Sequence, residues 1–136
     1  MAKPILPVVV GDTHHGSRYA IGHAEQLRGH WATMVDEVKH RARGHDLLVM
    51  IGGDVVEGQQ HRTHQSIGNA KDQRDLAVDF LQHLVNLATY AYGITGTEAH
   101  ANDAGSDDAQ VYETLGVEWA EGGATLEIGG WTIDWA

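Results

Sequence analysis

Twice in this chain an apolar run of strand length ends directly on glycine and aspartate. "ILPVVV" (5–10) runs into "GDTHHG", and "DLLVMI" (46–51) runs into "GGDVVEG". β-Branched and aliphatic runs of this length are buried strands. A third, briefer strand, "YGITG" (92–96), is followed by "TEAHAND". Amphipathic helices separate the three. Leu27, Trp31, Met34, Val35 and Val38 recur at helical spacing within 22–44, with Gly44 as C-cap. Leu76, Phe80, Leu84, Leu87 and Ala91 form the stripe of a second helix over 69–92. A short helix is expected from Asp107 to Leu115. Strand and helix in alternation predict an α/β fold with parallel strands and right-handed crossovers.

In such a sheet ligands bind outside the carboxyl ends of the strands. The polar segments of this chain follow strands, so three loops converge on one edge. Segment 52–68, rich in glycine and polar residues, reads as a loop. The C-terminal stretch "ATLEIGGWTIDWA" alternates instead, with Gly129-Gly130 at the turn of a hairpin. Trp119, Trp131 and Trp135 are expected in a core between two sheets, and Trp31 in the core of its helix. The chain stops mid-pattern at Ala136, which predicts one domain over 1–136 that lacks its C-terminal part, exposed tryptophans and poor solubility.

Composition excludes several functions. The formal charge is −10 among 136 residues, so bulk electrostatics will not draw the chain to nucleic acid. A bound divalent cation would reverse the local sign, which keeps phosphate-bearing substrates open. There is no cysteine, so neither a disulfide nor a thiolate zinc site can form. No apolar run has membrane-span length and no signal peptide is visible, so a cytoplasmic location is expected.

Ten histidines are present, and their placement is the chemical signal. Asp12 and His14 leave one strand end together and can offer a carboxylate oxygen and an imidazole nitrogen to one ion. Asp54 leaves the next strand, and its two oxygens can bridge two ions. Glu98 and His100 lie in the third loop. Two divalent ions clamped there would serve in-line displacement at phosphorus. Taken alone, Asp12 reads as a residue that caps its turn, and only the company of His14, Asp54 and His100 at strand ends favours a site. His15 faces phosphate or solvent. His61, Arg62 and His64 read as phosphate contacts or as a solvated loop. His23, His30, His40, His45 and His83 read as surface or boundary residues.

The segments Gly11–His14, Gly53–Gly58 and Gly96–His100 resemble, in order and spacing, the D-x-H, G-D-x-x-D/E and G-N-H-D/E motifs of calcineurin-like metallophosphoesterases, with wording closest to phage-type members. The resemblance implies an αββα four-layer β-sandwich flanked by helices, here with an incomplete second sheet. It implies two divalent ions (manganese, iron, zinc or nickel) and hydrolysis of phosphate mono- or diesters, with nucleotide or nucleic acid among the substrates and no membrane partner. Asp12 and His14 would bind the first ion and Asp54 would bridge both. Thr97 stands at the family's asparagine, so Glu98 would take that duty, with Asn102 a further candidate. His100 would protonate the leaving group. Glu57 would orient its loop, and His15, His61 and Arg62 would meet substrate. No histidine follows His100, whereas the family closes its site with later ones. This predicts weak metal binding and little activity for these residues alone. The alternative is a non-catalytic binding or assembly module with a vestigial metal site.

Overall fold

The computed structural model describes residues 2–17, 25–56, 69–96 and 104–135. The elements run β1 (Ile5–Val10), α1 (Glu25–Arg41), β2 (Asp46–Ile51), α2 (Ala70–Val85), β3 (Tyr90–Ile94), α3 (Ala104–Leu115), β4 (Glu118–Ala120), β5 (Ala124–Ile128) and β6 (Trp131–Trp135). The first four strands form a parallel sheet in the order β1-β2-β3-β4, and β5 and β6 form a separate antiparallel hairpin. Sequential parallel neighbours joined by right-handed crossovers put their helices on one face, and the packing agrees. Side chains of α1, α2 and α3 share one cluster with Leu47, Val49 and Ile51 of β2. Leu48 and Met50 point the other way, into a cluster with Leu126, Ile128, Ile133 and Trp135 of the hairpin. The apolar run of β2 is continuous because both its faces are covered. Each such side chain contributes roughly 1.5–3 kcal/mol by leaving water.

Among the described strands the order never reverses. The described starts of the loops after β1, β2 and β3, residues 11–17, 52–56 and 95–96, meet at the carboxyl edge.

Three boundaries differ from the sequence expectation. The second helix ends at Val85 rather than running to Tyr92. Asn86 caps it, and Thr89 then exchanges bonds with Leu47: its amide donates to Leu47 O (2.9 Å) and its hydroxyl accepts from Leu47 N (3.1 Å). Leu87 and Ala91 therefore continue the apolar spacing outside the helix, in the connecting turn and in β3. Helix α3 begins at Ala104, three residues before Asp107. The strand β4 is too short to give a sequence signal.

Trp31 is buried as expected, and its indole N–H donates to Phe80 O at 3.2 Å. Trp119 packs on the helix side of the sheet, not between sheet and hairpin. Trp135 does lie between them, whereas Trp131, beside the hairpin turn, is 68% exposed. Val9 is also exposed (66%), because β1 is an edge strand and the hairpin turn reaches only Ile5 at its start. Gly129 and Gly130 both take positive φ, as the tight turn requires. Among the described residues no helix is long and apolar enough to cross a membrane.

Tyr112 locks α3 to the sheet. Its hydroxyl donates to Ile94 O at 2.6 Å, and its ring occupies the space that a Cβ on Gly93 would need, with ring atoms 2.7–2.8 Å from that position. Gly93→Ala must displace the ring or the strand. It is expected to cost about 1–3 kcal/mol in urea unfolding, and a neutral result would show that the ring moves freely.

Candidate metal centre

Beyond the strand ends, the loop after β1 is carried by the loop after β2. Gly52 N donates to Val10 O (2.7 Å), Asp12 N to Gly53 O (3.3 Å), His14 N to Asp54 O (3.0 Å) and His15 N to Val55 O (2.8 Å). The Thr13 hydroxyl adds a bond to Val55 O at 3.3 Å. The pairing of β1 with β2 thus continues for several residues in distorted form, ending in a parallel bridge between His15 and Val56.

The distortion is specific. Among the described residues, the non-glycine residues with positive φ are Asp12 (51°), His14 (45°) and Asp54 (59°). An L-residue held there loses roughly 1–2 kcal/mol to the contact of its Cβ with the backbone, somewhat less for aspartate. The same three residues bring one ligand atom each within 4.8 Å of one another. Asp12 is exposed, His14 half-buried and Asp54 buried, so the group opens to solvent on one side. At this separation two carboxylates repel by about 1 kcal/mol at the dielectric of water, and about 3 at an effective dielectric of 20. Strain and repulsion converge on one spot, and a cation relieves the second. Two hard carboxylates and a borderline imidazole are a donor set for manganese, iron, zinc or nickel.

Glycines admit this crowding. A Cβ on Gly53 would stand 2.1 Å from Gly96 N, and one on Gly96 would stand 2.1 Å from Asp54 Oδ1. The loop after β2 and the end of β3 therefore touch backbone to backbone, and the Asp54 side chain lies against the bare face of Gly96.

A buried carboxylate absent from the sequence expectation organises this contact. Asp108, on α3, accepts Val55 N on Oδ1 (3.0 Å), and Asp54 N (3.0 Å) and Gly96 N (2.7 Å) on Oδ2. Burial pushes its carboxyl up to about 6, against the pull of the three amide donors. Its neighbour Asp107 pairs with Arg74 of α2 at 2.7 Å, fastening the start of α3. The signal was present in the sequence as an acid on an apolar stripe, since Asp108 precedes Val111, Tyr112 and Leu115 at helical spacing.

Of the residues expected at the site, the structure brings together Asp12, His14 and Asp54. His15 is a correction. It is fully buried and meets neither solvent nor an open cleft, because its strand-like bond to Val55 turns the ring inward onto Phe80 (5.2 Å between centroids) and Trp31 (6.5 Å). Neither ring nitrogen has a hydrogen-bond partner among the described residues. Burial, with a smaller contribution from His14, lowers its pKa to about 4. Glu57, His61, Arg62, His64, Thr97, Glu98, His100 and Asn102 lie outside the described residues, as does His23. His30, His40 and His83 are exposed and His45 half-buried, as surface or boundary residues should be.

No protein-family model matches the chain, and a search of curated proteins finds no significant match. The fold and the geometry support a parallel α/β domain with an Asp–His–Asp group able to hold a metal ion.

Two expectations follow from the strain and the burial. Asp12→Gly removes a strained Cβ and one of two repelling charges. It should raise metal-free stability by up to about 1 kcal/mol in urea unfolding; a loss would mean that Asp12 serves its own turn. The neutral His15 ring gives stability that is full above pH 6.5, where the unfolded histidine is also neutral, and that falls as pH drops toward 4. Unfolding free energies between pH 7 and 4 should therefore fall by on the order of 3 kcal/mol more in the wild type than in His15→Phe. Parallel profiles would show that the ring gains its proton inside the fold.

Proposed function

We propose that this chain is a metal-dependent phosphoesterase of the calcineurin-like kind, hydrolysing phosphate mono- or diesters at a centre of two divalent ions. The observation that carries the reading is the coincidence of backbone strain and ligand geometry at Asp12, His14 and Asp54. Strain confined to a few polar residues at strand ends is a mark of functional sites. These residues also occupy the ligand positions of the motifs that the sequence resembles.

In this reading Asp12, His14 and Asp54 would hold the metal, with Asp54 shared between the two ions. Glu98 completes the second ligand set in place of asparagine, and His100 protonates the leaving oxygen. His61 and Arg62 meet the phosphate. Divalent ions held there would supply charge neutralisation of a phosphate ester and acidification of water at neutral pH. They also supply the positive field that a chain of net charge −10 lacks, so nucleotides and nucleic acids belong to the substrate class. The hairpin β5–β6 is then part of the second sheet of a four-layer sandwich.

A second reading has its own support. Thr97 stands where the resembled motif has a ligand asparagine, which suits a binding or assembly module that keeps a weak metal site. Manganese binding and turnover separate the two. Calorimetric titration should detect manganese binding by the wild type, weakened at least about tenfold, or about 1.4 kcal/mol, in Asp54→Asn. Slow manganese-dependent hydrolysis of bis-p-nitrophenyl phosphate, lost in Asp54→Asn, supports the enzyme. Binding without turnover supports the module. Equal binding by both proteins would sink the metal centre itself.

A further inference from the structure

We propose that Asp108 is the positioning residue of this centre: its buried carboxylate fixes the backbone of Asp54, and through it that of His14. The proposal rests on the metal-centre reading, but its geometry stands apart from it.

Asp108 is fully buried on α3 and touches neither Asp12 nor His14 through any described bond. Both of its oxygens are used on backbone amides. Two of these amides, of Asp54 and Val55, are consecutive, and the first belongs to a strained ligand residue. The third belongs to Gly96, the residue against which the Asp54 side chain lies. One carboxylate therefore sets the conformation of Asp54 and its distance from the neighbouring loop. The carbonyls of the same two residues then hold the next loop, since Asp54 O accepts His14 N and Val55 O accepts His15 N. The path runs from α3 to the loop after β2 and on to the loop after β1, and each link is a hydrogen bond of 2.7–3.0 Å.

The residue type follows from the donor count. Three amide donors need an acceptor-only group with two oxygens. Asparagine keeps one acceptor and turns an NH2 group toward an amide, so Asp108→Asn keeps the shape of the side chain and breaks at least one link. A carboxylate serving only to anchor α3 would affect the stability of the helix and nothing more. Arg74→Gln is the control for that role, because it breaks the ion pair between Asp107 and α2 and none of the three amide bonds to Asp108.

The first test uses the unsubstituted chain without metal. NMR scalar couplings across the hydrogen bonds should link the amides of Asp54, Val55 and Gly96 to the side-chain carboxyl carbon of Asp108, and their absence would overturn the proposal. The second compares variants. Asp108→Asn should weaken manganese binding at least tenfold and lower the exchange protection of the His14 amide by a similar factor. Arg74→Gln should lower the thermal midpoint and leave both unchanged. Manganese affinity or His14 protection at the wild-type level in Asp108→Asn overturns the positioning role alone. Failure of the wild type to bind manganese overturns the metal-centre reading, and the positioning role with it, even where the couplings are present.

Discussion

Three backbone amides from two loops end on one buried carboxylate, and the arrangement of the candidate centre depends on that convergence. Asp54 would not hold a positive φ unaided, since a relaxed aspartate loses the strain by turning back to the ordinary region. At Asp54 the relaxed conformation would leave amides without acceptors in a buried place, at about 1–3 kcal/mol for each unsatisfied group. That exceeds the strain of one left-handed residue. The comparison of magnitudes explains why the unfavourable backbone persists.

The fold supplies the setting in a simple way. Four parallel strands in chain order put three helices on one face, leaving the other to the hairpin. The carboxyl-end loops are thereby neighbours without any reversal of strand order. Gly53 and Gly96 allow two of them to meet backbone to backbone. Such closeness is available only where neither residue has a side chain. The glycines of the G-D and I-T-G segments are in this sense part of the centre, although they offer no ligand.

Much of this was legible in the sequence because the signals were local. Continuous apolar runs marked β1 and β2 to the residue, and Gly129-Gly130 marked the hairpin turn. Asp12, His14 and Asp54 were legible because each lies within four residues of the end of such a run. The end of α2 was obscured because Leu87 and Ala91 continue its helical spacing by chance, although they belong to the turn and to β3. Trp131 looked like a core residue because alternation alone cannot say how far the opposing surface extends. His15 was misread because the rings that bury it, Trp31 and Phe80, lie on helices distant in sequence, and no local pattern places them over it. Asp108 was the deepest omission. Two of its three partners lie more than 50 residues away in sequence, and no local pattern reports them. The positive φ angles were equally invisible, because aspartate and histidine carry no mark of the conformation imposed on them.

The long separation between Asp54 and Asp108 orders events in time as well as in space. During synthesis Asp12, His14 and Asp54 leave the ribosome first, and the carboxylate that fixes them follows 54 residues after Asp54. At typical rates of chain growth that interval is on the order of 3–10 s. Throughout it Asp12, His14 and Asp54 belong to a chain in which the Asp108 carboxylate has yet to arrive. Docking of α3 is therefore the step at which these three residues gain the anchor that sets their geometry.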